Sequence, residues 1–434
     1  MGAMDSATIT LVVIALFLLG TPIIPAMGLW VVAVSYFVQD LSLANLSQTA
    51  FFGLSNFALL AFPLFILTGD FCLAGGIAQR LTEMAHAMVG WLRGGLAMVA
   101  LVACGLFAAI NGSNVATTAA IGQIMISDMT RRGYDRTFTA ATVASGGTVG
   151  VIIPPSISFI VYGAIMMVSP VDLFIAGIIP GILMVVAMCL AVMVVSRLRQ
   201  EWIPRDIVPF SFRRLARATW DARLGLLAIA LPLSGIQLDW FSPTEAAGVT
   251  VAYTFLAGWL FTRQLSLRKA PEVIFRSAQI TGLLAPMLAF SIVLQQNISL
   301  LGITDAVEKF LTGFGGRWLV TATIMGIILA VGTFFESVPN IIMTAPILAP
   351  AAYAVGIDPV QFAMIFIIGD TIGFITMPYG LNLFVASSLT GIPYMRISVV
   401  ALWYVAALMV PWALVATVPE LSLGLLRIAD HFGR

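Results

Sequence analysis

Apolar stretches recur along this chain from residue 8 to residue 418, separated by short turns rather than by long polar segments. The longest polar stretch is about 196–223, so no soluble domain can be cut out. At ~20 residues per span there is room for roughly a dozen membrane crossings. The pattern predicts an all-α polytopic membrane protein, because helices satisfy their own backbone hydrogen bonds in lipid. Residues 8–20 lack a basic flank before them and read as a first span, not a cleaved leader. Two segments depart from the pattern. Residues 77–92 carry Arg80, Glu83 and His86 among apolar positions, and 208–219 carry Arg213, Arg214 and Arg217. Both predict amphipathic helices lying along a membrane face.

The apolar runs are interrupted in four informative places. Asn111-Gly112-Ser113-Asn114 breaks a hairpin over 94–130, and Glu336-Ser337-Val338-Pro339-Asn340 breaks another over 317–354. Each hairpin is followed by a span carrying a Gly-x-x-x-Pro break. These are Gly150 to Pro154-Pro155, within 137–168, and Gly373 to Met377-Pro378, within 360–389. Proline removes a donor and frees the carbonyl about four residues earlier. In lipid, such groups need protein, water or an ion.

The second pair of breaks repeats the first. Thr148-Val149-Gly150-Val151-Ile152 resembles Thr371-Ile372-Gly373-Phe374-Ile375, 223 residues on. At the same offset Gly133 meets Gly356, Asp135 meets Asp358, Gly146 meets Gly369, Pro155 meets Pro378 and Pro170 meets Pro393. The expected organisation is a first repeat over 1–200, a cytoplasmic linker over 201–223, a second repeat over 224–418 and a tail over 419–434.

Composition agrees: 60% of the 434 residues are hydrophobic and 9% charged, with mean hydropathy +1.04. A soluble domain carries about 25% charged residues. A formal net charge of +1 gives no reason to expect nucleic acid. Basic residues cluster at Arg80 and Arg93, at Arg131, Arg132 and Arg136, from Arg197 to Arg223, and from Arg263 to Arg276. By the positive-inside rule these turns are cytoplasmic. The first hairpin then begins and ends inside and the second outside, so the repeats are expected to be inverted. Inverted repeats with helices broken at the midplane characterise secondary transporters.

Freed carbonyls with Ser, Thr and Asn oxygens suit a hard cation such as Na⁺, and helix N-termini suit a carboxylate. Of the ionisable residues inside apolar runs, Glu336 sits at a tip. Asp370 precedes a break and faces Gly147 in the repeat; it reads equally as a coupling residue or a local cap. Asp70 reads as interfacial. Ser242-Pro243-Thr244-Glu245 reads as a capping box. No buried arginine marks the midplane cavity. Cys72, Cys104 and Cys189 are too scattered for a disulfide framework or metal site and read as apolar filler. No phosphate-binding loop or nucleophile constellation is present, so neither ATP hydrolysis nor another enzymatic activity is expected.

Six stretches together resemble the large membrane subunit of tripartite ATP-independent periplasmic (TRAP) transporters. They are Pro63 to Leu67, Gly94-Gly95-Leu96, Asn111 to Ala116, Ile153 to Ile157, Ser242 to Ala246 and Gly380 to Val385. The resemblance implies an elevator-type ion-transporter-superfamily architecture with re-entrant hairpins. It implies Na⁺-coupled import of an organic acid across the bacterial inner membrane, with Na⁺ as coupling ion and no organic cofactor. The implied partners are a small four-span membrane subunit and a periplasmic substrate-binding protein, in a lipid bilayer. By position, one Na⁺ site would involve Ser113, Asn114, Thr148 and Gly150. A second would involve Gly332, Glu336, Ser337, Asn340, Gly373 and Thr376. Substrate would lie near Asn111, Ser113, Pro155, Ser156, Pro339, Pro378 and Asn382. The chain departs from the family pattern at Asn111, where Ser is common, at Glu336, where Asp is common, and at Met377, where Pro is common. A stand-alone Na⁺/carboxylate symporter of the same superfamily is the alternative; an ion channel or membrane scaffold is a third.

Overall fold

The computed structural model describes residues 6–204 and 209–431. Positions 205–208 of the expected linker and residues 432–434 of the expected tail lie outside them. The described residues are helical, with no strand among them. Three helices are long and apolar enough to cross a membrane unbroken: Pro170–Leu198, Ala270–Leu300 and Tyr394–Thr417. A fourth pair, Ala61–Ala74 and Ile77–Val89, is bent by 72°. Many of the other apolar helices are short, at 10–17 residues. The dozen crossings expected from composition are therefore not a dozen continuous spans. Glycine and proline divide much of the apolar chain into half-length pieces.

The divisions fall where the Gly and Pro residues predict. The first hairpin comprises Gly95–Asn111 and Asn114–Arg131; the helix after it stops at Gly146, and Ile157–Met166 resumes the direction. The second hairpin comprises Arg317–Gly332 and Ser337–Ala354, followed by Pro359–Gly373 and Leu381–Thr390. Shifted by 223 residues, Asn114–Arg131 lands on Ser337–Ala354, and Ile157–Met166 lands within one residue of Leu381–Thr390. Both Gly-x-x-x-Pro segments are non-helical and contain a cis proline, Pro155 and Pro378.

Caps explain several helix starts. Asp135 accepts from the Phe138 N–H at 2.7 Å, and Asp358 from the Val360 N–H at 2.8 Å. Ser242 and Glu245 form the capping box: the Ser242 N–H donates to Glu245 Oε2 at 2.8 Å, and the Glu245 N–H donates to Ser242 Oγ at 3.3 Å. Hydrogen bonds from the Ser242 hydroxyl and N–H hold the Glu245 carboxyl below its ordinary range.

The main core lies between the two hairpins, the two broken helices and the long helices Pro170–Leu198 and Tyr394–Thr417. It includes Phe107, Phe138, Phe159, Phe366 and Trp412, each at most 1% exposed. The Trp412 indole donates to the Ile365 carbonyl at 2.7 Å, locking the second broken helix to its long neighbour. A separate layer is built from Ile23–Phe37, Leu43–Leu54 and Ala270–Leu300. Asn297 joins two of these helices, donating to the Val31 carbonyl at 3.1 Å and to Ser35 Oγ at 2.9 Å.

Both amphipathic segments are helical. Ile77–Val89 buries one face, whereas Phe212–Asp221 buries no residue and packs on Ile77–Val89. Arg214 Nη2 lies 3.1 Å from His86 Nδ1 across that contact. The expected tail is instead a helix, Glu420–His431, packed on Pro170–Leu198. Its mixed composition gave no apolar run to find. The cysteines are free; Cys72 and Cys104 are buried and Cys189 is partly buried.

Candidate functional site

The hairpin tips meet the helix breaks. In the first half, the arm Gly95–Asn111 ends at Gly112, whose φ of 62° is left-handed and favours glycine. Ser113 then caps the returning arm, its Oγ accepting from the Ala116 N–H at 3.4 Å. Gly150 lies directly against this tip. A Cβ there would sit 2.6 Å from the Ser113 carbonyl oxygen and 2.7 Å from the Asn114 nitrogen. Backbone therefore touches backbone, which only glycine permits. Asn111 Oδ1 fastens the tip, accepting from the Ser113 N–H at 2.9 Å and Thr117 Oγ1 at 3.1 Å. Thr148 donates to the Ser145 carbonyl at 2.7 Å, and Ser156 to the Val151 carbonyl at 2.5 Å, on either side of the break.

Several buried polar atoms around this junction have no hydrogen-bond partner: both amide atoms of Asn114, Asn111 Nδ2, Ser145 Oγ and Asn382 Oδ1. Such groups are normally paired, so a cluster of them needs an explanation. Asn382 comes from the other half of the chain and donates through Nδ2 to the Ala144 carbonyl at 3.1 Å.

The second junction repeats the backbone and changes the chemistry. A Cβ on Gly373 would sit 2.6 Å from the Gly332 carbonyl oxygen and 2.8 Å from the Thr333 nitrogen. Glu336 caps the returning arm, accepting from the Val338 N–H at 2.9 Å. Asp370, fully buried, receives Ser337 Oγ at 2.5 Å and Asn340 Nδ2 at 2.7 Å. Thr344 extends the chain of bonds, donating to Asn340 Oδ1 at 2.7 Å. Thr376 donates to the Ile372 carbonyl at 2.8 Å, and the Gly380 N–H reaches the Thr333 carbonyl at 3.1 Å.

At Asp370 the repeat offset places Gly147 in the first half. The space a Gly147 side chain would need is filled by the Thr118 hydroxyl, with Asn382 Nδ2 beside it. The two junctions thus share a backbone, but one holds a carboxylate and the other neutral amides.

A cavity of about 780 Å³ opens below both tips. Ser113 and Glu336 line it, with Phe62, Phe107, Met287 and Tyr379 among mostly apolar neighbours. Of the sequence-predicted substrate residues, Ser113 reaches the cavity wall. Asn111, Ser156 and Asn382 are fully buried behind it, Pro155 and Pro339 are buried, and Pro378 is exposed. Residues absent from the predicted set are Thr117, Thr118, Ser145, Thr344 and Asp370; Asp370 had a sequence signal, an acid in an apolar run before a break. Two expectations are corrected. Asp70 is not at an interface: it is partly buried, accepts from Ser277 Oγ at 2.6 Å and lines the cavity. An arginine does line the cavity: Arg276, which charge counting placed in a cytoplasmic turn although it lies within the helix Ala270–Leu300.

Apolar broken helices, paired tip–break junctions and a cavity beneath them define a multi-pass membrane permease. Residues 10–421 match the family described as tripartite ATP-independent periplasmic transporter, DctM component, and the chain belongs to it. A C4-dicarboxylate TRAP transporter large permease protein of Pseudomonas aeruginosa is 36% identical, over 88% of this chain and 90% of its own length. One from Rhodobacter capsulatus is 32% identical, over 95% and 96%. An isethionate TRAP transporter permease protein of Oleidesulfovibrio alaskensis is 32% identical over 94% of this chain and 64% of its own length. Among solved structures, MtrF of Neisseria gonorrhoeae shares the fold with a TM-score of 0.60 at 15% identity, covering 87% of this chain and 84% of that one. The YdaH transporter of Alcanivorax borkumensis has a TM-score of 0.54 at 16% identity, covering 86% and 88%.

Proposed function

We propose that this chain is the Na⁺-coupled large permease subunit of an importer of small carboxylates, C4-dicarboxylates first among them. The substrate class follows the names of the Pseudomonas and Rhodobacter relatives. The observation that carries the coupling is the pair of junctions. Each brings a tip carbonyl into backbone contact with a break, and each gathers buried hard oxygens: Asn114 Oδ1, Ser145 Oγ and Asn382 Oδ1 in one, Asp370 with Ser337 and Asn340 in the other. Hard oxygen ligands suit Na⁺ over softer metals. The cation is cargo here, driven down its gradient with the substrate.

In this reading the halves are inverted repeats in the inner membrane, the hairpins are re-entrant, and the Arg-rich turns face the cytoplasm. Hairpins and broken helices form the moving body of an elevator. The layer built on Ile23–Phe37, Leu43–Leu54 and Ala270–Leu300 stays with a small four-span partner subunit. A periplasmic binding protein delivers the substrate, which binds below the tips against helix N-termini at Ser113 and Glu336. Ion occupancy holds each tip against its break and so fixes the shape of the substrate site between them. The experiment is reconstitution of the chain with its small subunit and binding protein in liposomes. Succinate uptake should require an inward Na⁺ gradient and the binding protein. Uptake that ignores Na⁺ and follows a proton gradient overturns the coupling. Uptake that needs neither partner favours a stand-alone symporter.

A further inference from the structure

The cavity is not uniform along its length. Its charged lining residues are Glu336 at the tips and, on other helices, Asp70 and Arg276. Arg276 lies six residues into Ala270–Leu300, about 9 Å along the axis from its first residue. Asp70 lies in the last turn or so of Ala61–Ala74. The two helices pack together there. Ser277, next to Arg276, donates its hydroxyl to Asp70 Oδ2 at 2.6 Å, which fixes the carboxylate on the cavity wall. The Arg276 guanidinium is the cation that acts on that carboxylate through space. Neither residue belongs to a hairpin or a broken helix.

We propose that Arg276 is an exit site: a second, weaker binding position for the substrate carboxylate, on the wall of the cavity away from the tips, attenuated by Asp70. This rests on the reading of the chain as a carboxylate importer. A guanidinium pairs with a carboxylate through two parallel hydrogen bonds. In an apolar cavity a bare guanidinium would hold an anion too tightly to release it, because the interaction strengthens as the local dielectric falls. A pathway must bind well enough to admit and weakly enough to let go. Asp70 supplies the opposing charge, and the Ser277 bond keeps it in place while the substrate passes. The tips bind the carboxylate on the moving body, and Arg276 receives it on the fixed one.

The test is inhibition of uptake by substrate on the cytoplasmic side. The permease, its small subunit and binding protein are reconstituted, and uptake of labelled succinate is measured with increasing unlabelled succinate inside the liposomes. Arg276→Ala should raise the half-inhibiting internal concentration at least tenfold, with Arg276→Lys in between. Asp70→Asn, whose amide oxygen still accepts from Ser277, should lower it several-fold and slow turnover. The Na⁺ dependence of uptake should not move in any of them. Arg276→Gln replaces Arg276→Ala if the latter fails to assemble. Wild-type internal inhibition in the Arg276 variants, with wild-type uptake intact, overturns the exit site alone. Absence of Na⁺-driven succinate uptake by the unaltered protein overturns the importer reading and the exit site with it.

Discussion

Adding one methyl group at Gly150 or Gly373 tests whether the junctions hold ions. The Gly150→Ala Cβ would meet the Ser113 carbonyl oxygen at 2.6 Å and the Asn114 nitrogen at 2.7 Å. The Gly373→Ala Cβ would meet the Gly332 carbonyl oxygen at 2.6 Å. Non-bonded heavy atoms sit best at about 3.5–4.0 Å, so the tip must retreat by roughly 0.8 Å or more. The neighbours are backbone and cannot swing aside as a side chain can. Overpacking of this kind costs about 1–3 kcal/mol. If that cost falls on the ion-bound state, the Na⁺ concentration for half-maximal uptake rises about 5- to 150-fold. The assay is succinate uptake against Na⁺ concentration, with thermal melting to confirm folding. Gly326→Ala is the control: it lies in the second hairpin with nothing within 4 Å of its Cβ and should be neutral or slightly stabilising. An unchanged Na⁺ dependence in both junction variants, each assembled normally, would falsify the assignment of ions to the tips.

Three further outcomes are expected. Asp370→Asn preserves shape but removes the charge that Ser337 and Asn340 serve, so half-maximal uptake should need at least tenfold more Na⁺ while the melting temperature changes little. A Na⁺ titration checks this, and loss of fold instead would make Asp370 structural. Asn297→Ala leaves Ser35 without its buried partner and should cost about 1–3 kcal/mol, read as a lower melting temperature with unchanged Na⁺ dependence. Ser242→Ala removes a helix cap and should cost about 0.5–2 kcal/mol, visible in chemical denaturation but not in transport.

The breaks were legible because their causes are local. Proline at 155 and 378 and glycine at 150 and 373 interrupt a helix wherever the chain places them. The offset of 223 residues was legible for the same reason, and the helix ends follow it. The chemistry of the junctions was less so. Ser337 and Asn340 reach Asp370 across 33 and 30 residues, and Asn382 reaches Ala144 across 238. No periodicity reports such meetings. Asp70 and Ser277 are 207 positions apart, so counting charges in turns put Arg276 near the water and Asp70 at an interface. The helix Glu420–His431 was missed because its sequence is neither apolar enough for a span nor marked by an N-cap box.

The Thr118 hydroxyl beside Gly147 has a consequence for how the two halves can diverge or be made alike. A duplicated chain begins with interchangeable copies, and a protein engineer might hope to restore that state by copying Asp370 into the first half. Gly147→Asp alone would drive the new side chain into Thr118 and Asn382. The carboxylate can be transplanted only with a second change, Thr118→Gly or Thr118→Ala, that clears its place. Each half has settled around its own solution, so the symmetry of the backbone no longer extends to the parts that do the chemistry.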